Sequence, residues 1–192
     1  MDLFLYLTKK RWVNAWINGG EIPISLVSSY LSPIRSGTKT PDENLINDMN
    51  IDIQQLFPLI SIGEGGGLRN ANFQNNYVNG HLLPEVQDGN YFHEDGLILS
   101  FSLQQSREIA VRMGKESCVK IQDINYLKLC VDNQLGLNGI LRECEYTDGP
   151  NRNHFLKSVA DSWQQELRIF WPGSIKKSVV LPSGIAEPVS LE

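Results

Sequence analysis

The stretch 166–171 constrains the fold of this chain more than any other. Leu167, Ile169 and Trp171 fall on one side of it, and Glu166, Arg168 and Phe170 on the other. A two-residue period of this kind belongs to a β-strand with one apolar face, because a helix would scatter the same residues around its axis. Short runs that also read as strands stand at 3–7, 96–101, 118–122, 140–146 and 176–181, with a brief candidate at 59–62. Segments with helical spacing lie between them. Leu45, Ile46, Met49, Ile53, Leu56 and Phe57 predict a helix over 43–57, closed by Pro58. Residues 124–131 predict another. Phe155, Leu156, Val159, Ala160 and Trp163 predict an amphipathic helix before the strand that opens at Glu166. Strands and helices mix without a regular βαβ alternation, so the fold class is α+β.

Turn and cap signals place the remaining boundaries. Thr8 is positioned to cap a helix over 9–18, whose Trp12, Val13, Trp16 and Ile17 share a face and which Gly19-Gly20 stops. Residues 21–24 return as an extended edge, consistent with Pro23. Residues 28–43, with Pro33, Gly37 and Pro41, read as loop. Ser102 is placed to cap the next helix, with Gln105 at the capping-box position and Gly114 at its end. Residues 63–96 open with Gly63-Glu64-Gly65-Gly66-Gly67 and carry Asn70, Asn72, Asn75, Asn76 and Asn79. They read as a long loop insertion of the functional or mobile kind, where an acceptor or partner would dock. The glycines lack the Gly-Lys-Ser/Thr of a phosphate loop and the spacing of a dinucleotide fingerprint.

With 192 residues the chain suits one domain spanning 1–192. Its formal net charge of −5 argues against a broad non-specific grip on nucleic acid, though a local cleft can be basic on an acidic protein. No apolar run is long enough to span a membrane, and the N-terminus lacks a basic leader, so the expected location is the cytoplasm. Cys118, Cys130 and Cys144 are widely spaced and cluster with none of His81, His93 and His154; free thiols and no metal site are expected.

Three pieces stand out together. Tyr6 and Thr8 end the first strand before Gly19-Gly20; Ser100-Phe101-Ser102 ends a middle strand; Trp163, Gln164, Glu166 and Arg168 surround the start of the alternating strand. In this order they resemble a family of bacterial ADP-ribosyltransferase-like domains. Those domains show a Leu-Tyr-x-Tyr-Thr-like first strand, a Gly ending the first helix, a Ser-Phe-Ser strand and a closing Trp-x-x-Glu-x-Glu-Tyr-Arg-like segment. Residues 114–121, Cys144–Asp148 and Phe155-Leu156-Lys157 resemble intervening pieces, so the likeness covers most of the chain except 25–96. The family often carries two acids near the end, whereas here Gln164 stands two residues before Glu166. Tyr6 occupies the first-strand position that elsewhere is Arg or His. Thr40-Pro41-Asp42-Glu43 replaces an Asn-Asp-Pro-like loop.

The resemblance implies a split β-sheet core with flanking helices and an NAD-consuming enzyme. Cleaving the nicotinamide–ribose bond builds positive charge on the ribose, as glycoside hydrolysis does, and a carboxylate beside that sugar stabilises it. The implied catalytic residues are Glu166, for the ribose cation, and Gln164, for the acceptor nucleophile. Tyr6, Thr8, Ser100, Phe101 and Ser102 are the implied NAD-binding set. The implied activity transfers ADP-ribose to RNA, DNA or protein, in a bacterial toxin or phage-defence effector with an antitoxin as a possible protein partner. An NAD glycohydrolase and a non-catalytic binding module on the same fold are the alternatives. On the residues alone, Ser102 is equally well explained as a helix cap, Tyr6 as core packing with a satisfied hydroxyl, and Glu166 beside Arg168 as a solvated pair.

Overall fold

The computed structural model describes residues 1–31, 43–57 and 59–191. The strands are β1 (Leu3–Leu7), β2 (Gly20–Pro23), β3 (Ser25–Leu26), β4 (Leu45–Asp48), β5 (Leu68–Phe73), β6 (Tyr77–Val78), β7 (His81–Leu82) and β8 (Val86–His93). They continue as β9 (Gly96–Ser102), β10 (Ser117–Ile121), β11 (Ile140–Glu143), β12 (Glu145–Thr147), β13 (Leu156–Ser158), β14 (Glu166–Pro172), β15 (Ser178–Leu181) and β16 (Ala186–Val189). Three α-helices are described: α1 (Val13–Asn18), α2 (Arg107–Arg112) and α3 (Ile124–Leu135). The class is α+β with strands predominating.

The main sheet runs β11-β14-β9-β1-β10-β16, with β3 also paired to β9. Its centre is a fork. β9 and β14 pair along their whole length, from Glu166 opposite Ser102 to Pro172 opposite Gly96. β1 and β10 pair from Leu3–Ile121 to Leu7–Ser117. Between the two halves, β1 meets β9 at one position, Phe4 opposite Ser102. The same edge of β9 is covered by β3 only at Leu97 and Ile98. Leu99, Ser100 and Phe101 therefore face no strand on that edge, and β1 diverges from them after Phe4.

Alternation distributes the side chains to two faces. Leu3, Leu5, Leu7, Leu97, Leu99, Phe101, Leu167, Ile169 and Trp171 form the main core with Trp16 of α1 and with Leu127 and Val131 of α3. On the opposite face Phe4, Tyr6 and Cys118 pack under Ile109 and Ala110 of α2. Ile98 and Phe170 pack there with Val27 and Phe155. Both faces of β14 are thus covered, and the charged side chains of Glu166 and Arg168 lie inside the protein.

Several sequence expectations change. The 9–18 helix begins as a 3-10 turn at Lys10–Trp12 before α1, and neither N-cap makes a side-chain cap bond. Thr8 is not the cap; its hydroxyl accepts from Lys115 Nζ at 3.1 Å. Gly19, at φ +84°, stops α1 as expected. The 43–57 helix is replaced by β4 and a 3-10 turn at Ile53–Leu56 that Asp52 caps. Pairing of β4 with β8 overrides the local helical spacing. Residues 59–62 are not a strand.

The 63–96 segment is not a loop. It holds β5, β6, β7 and β8, and the β4-β8-β5 sheet has its own small core of Met49, Ile53, Leu56 and Val86. Its asparagines serve this sheet. Asn70, Asn75 and Asn79 take the left-handed conformation that Asn tolerates. Asn72 Oδ1 accepts from Asp88 N and Asn90 Oδ1 from Asn70 N, filling the ladder where the β5–β8 register shifts.

The 155–163 helix is instead β13 followed by a 3-10 turn at Val159–Gln164, capped by Ser158. Ser106, not Ser102, caps α2, accepting from Ile109 N. The 140–146 strand breaks into β11 and β12 at Cys144, and the last strand is β16 rather than β15. Pro33, Arg35, Gly37, Lys39, Thr40, Pro41, Asp42 and Pro58 lie outside the described residues. Among those described, no helix is long and apolar enough to cross a membrane.

Candidate active site

A cleft of about 560 Å³ occupies the fork. Leu5–Thr8 of the first segment line one wall and Ile98–Ser102 the other; Gln164 and Glu166 close one side. All seven residues singled out from the sequence, Tyr6, Thr8, Ser100, Phe101, Ser102, Gln164 and Glu166, border this one space. Trp12, Trp16 and Tyr30 add aromatic surface. The volume is in the range that suits a small-molecule ligand.

These residues are not equivalent. Ser102 is buried, donates its hydroxyl to Gln164 O at 3.0 Å and accepts from Gln104 N at 3.2 Å, so it ties β9 to the turn before β14. Tyr6 donates to Gln104 O and accepts from Ser106 N, both at 2.7 Å. Burial raises its phenol pKa, and its hydroxyl is committed to holding the start of α2 against β1. Phe101 points into the main core. Ser100 is half-buried, sits opposite Arg168, and its hydroxyl bonds no described residue, which leaves it for a ligand.

Glu166 reaches its place through a strained turn. Gln165 adopts φ +43°, outside the range that side-chain-bearing residues favour, and closes the 3-10 turn so that Glu166 enters β14 beside Ser102. The Glu166 N–H donates to the Tyr146 hydroxyl at 3.0 Å, and its carbonyl accepts from Cys144 N at 2.8 Å. The side chain is 5% exposed and charge-paired. Arg168 reaches Glu166 Oε2 through Nε at 2.8 Å and Nη2 at 2.7 Å, and Lys157 Nζ reaches the same oxygen at 3.2 Å. Among the described residues, Oε1 takes no donor.

Two residues of this site, Glu43 and Lys157, received no site role from the sequence. Arg168 Nη2 also contacts Glu43 Oε1 at 2.8 Å, from a residue 125 positions away. Lys157 Nζ lies 3.7 Å from the same Glu43 oxygen. Glu43, Glu166, Arg168 and Lys157 thus form a buried ring of two negative and two positive charges, with both carboxylates bordering the cleft. Burial opposes the charge on Arg168, but attraction to Glu166 and then Glu43 outweighs it and holds the guanidinium pKa well above its ordinary value. Burial pushes the neighbouring Cys144 thiol and the Tyr146 phenol each up to about 12, so both stay neutral beside the ring. The sequence signal for Lys157 was a lysine next to Phe155 and Leu156, masked by the helical spacing assigned there. Glu43 figured only as the end of the segment that replaces an Asn-Asp-Pro-like loop, and only tertiary folding brings it to Arg168 of β14.

Chemically, the cleft offers a fixed carboxylate with one open oxygen, a free hydroxyl two residues along the neighbouring strand, a primary amide, and aromatic walls. No family model, curated protein or solved structure matches this chain.

Proposed function

We propose that the chain is an NAD-dependent ADP-ribosyltransferase that modifies a macromolecule, RNA, DNA or protein, as a bacterial toxin or phage-defence effector. One observation carries this reading: Glu166 sits directly opposite Ser102 and shares the forked cleft with Ser100, Thr8, Tyr6 and Gln164, from three distant segments. In this reading NAD lies in the fork with its nicotinamide-bearing ribose beside Glu166. Oε2 is held by Arg168 and Lys157, and Oε1 faces the sugar. As the glycosidic bond breaks, the electron pair leaves with nicotinamide and the ribose becomes cationic. A carboxylate already oriented by two buried cations needs no rearrangement to stabilise it. Ser100 holds a ribose hydroxyl, the aromatic walls flank the flat rings, and Gln164 orients the acceptor.

The test is incubation with labelled NAD and cell extract, with the product divided by nuclease and protease treatment. Label is expected in one macromolecular class. A folded Glu166→Gln variant is expected to lose about 100-fold or more of it, and full labelling by that variant would reject the assignment. Free ADP-ribose with no labelled macromolecule would identify a glycohydrolase. The absence of any thermal shift at saturating NAD would identify a module that does not bind it, since a ligand of the native state alone must raise stability.

A further inference from the structure

Lys157 is 4% exposed and does not border the cleft, yet its ammonium touches three residues that do. Nζ lies 2.7 Å from Gln164 Oε1, 3.2 Å from Glu166 Oε2 and 3.7 Å from Glu43 Oε1. An ammonium has three donors and no acceptor. The Gln164 atom that faces it is therefore the carbonyl oxygen, and this fixes which way round the amide sits. Gln164 Nε2 reaches Asp161 Oδ1 at 3.3 Å, so both ends of the amide are hydrogen-bonded within the protein.

A buried lysine here is costly to desolvate, and packing alone would favour an aliphatic side chain of the same length. β13 is three residues long, with Leu156 and Ser158 half-buried on either side of Lys157. Its parallel pairing with β12 places Lys157 opposite Tyr146, whose hydroxyl holds the Glu166 backbone. The two short strands thus deliver one cation to the Gln164–Glu166 pair and one phenol to the Glu166 backbone.

We propose that Lys157 is a positioning residue, binding the Gln164 amide and the Glu166 carboxylate into one unit so that the cleft presents them in a fixed relative geometry. This rests on the NAD-cleaving reading above, in which these two side chains face the acceptor and the ribose. A displacement of about 1 Å in a catalytic pair costs on the order of 100-fold in rate. Loss of the tether is therefore expected to act on turnover rather than on substrate binding, which relies on other walls of the cleft.

The experiment compares Lys157→Met, Lys157→Gln and the native chain, each checked for a cooperative thermal melt. Native kcat for NAD cleavage is expected to fall on the order of 10- to 100-fold in Lys157→Met, with KM held within about threefold. Lys157→Gln keeps a donor and is expected to fall between the two. A loss of folded protein alone would not produce that order per folded molecule. A second readout needs no NAD: the Gln164 side-chain amide resonances, assigned by their absence in Gln164→Leu, are expected to shift and broaden in Lys157→Met. Should Lys157→Met not fold, Lys157→Gln carries both measurements. Unchanged kcat together with unchanged amide resonances in a folded variant would overturn the proposal. Displaced resonances in a protein whose native form never cleaves NAD would instead overturn the functional reading and leave the tether standing.

Discussion

Ser100 and Ser102 lie two residues apart on one strand and face the same way, but the protein uses their hydroxyls differently. Ser102 is spent on the Gln164 carbonyl and the Gln104 amide, whereas Ser100 bonds no described residue and borders the cleft. Ser102→Ala is expected to lower stability by about 1 kcal/mol through the loss of a buried hydrogen bond, read by denaturant unfolding. Ser100→Ala should leave the unfolding midpoint in place and reduce NAD turnover. The reverse pattern would exchange the two roles. Both serines were singled out by the resemblance of the Ser-Phe-Ser strand. That resemblance could not rank them, because the ranking depends on which backbone groups lie opposite. The same holds for Glu166. Its alternation with Arg168 reads equally as a solvated surface pair, and only the coverage of both faces of β14 turns that pair into a buried charge cluster.

At the scale of elements, strands with clear alternation and flanking turns were legible. β1, β9, β10 and β14 lie where their patterns put them, and α3 starts as expected but runs on to Leu135. Two predicted helices failed for one reason. Residues 45–48 and 156–158 carry apolar spacing that fits a helix over a long window, yet each makes a short strand because a distant partner completes its hydrogen bonds: β8 for the first, β12 for the second. The Asn-rich segment failed differently. Asparagine disfavours strands by propensity, but here its amides repair a bulged ladder. The turn at Gln165 links element to function. Gln165→Val places a β-branched residue at φ +43° and is expected to cost about 1–3 kcal/mol, with loss of activity through a displaced Glu166. Gln165→Gly relieves the same strain and should be neutral or stabilising. Equilibrium unfolding of the two variants checks the sign.

Across the whole molecule, buried acids that stay protonated govern the alkaline limb of stability. Burial pushes Cys118, Cys144 and Tyr146 each up to about 12 in the folded protein, against ordinary values of 9.0 for the thiols and 10.0 for the phenol. Above pH 9 the unfolded chain releases protons that the folded chain retains. The folded state then binds more protons, and stability falls as pH rises. The stabilising contribution is complete below 9 and is lost progressively between 9 and about 12. Denaturation midpoints at pH 8, 9, 10 and 10.5 should decline, and Cys118→Ala should flatten the slope; a flat profile in the native chain would refute the linkage.

The alternating pattern at 166–171, the apolar runs at 3–7 and 96–101, and the absence of a regular βαβ order fixed the α+β class locally, since side-chain period and turn chemistry are properties of neighbouring residues. The order of the Tyr-Thr, Ser-Phe-Ser and Trp-x-x-Glu segments was also readable, and it selected residues that border one cleft. What the sequence left undetermined is everything that depends on residues distant in the chain. The fork exists because β1 meets β9 at a single pair. The counter-charges exist because Lys157 reaches Glu166 and Glu43 reaches Arg168 from separate short strands or turns. Burial, electrostatics and strand partnership are set by what lies across space, and only the tertiary structure supplies that.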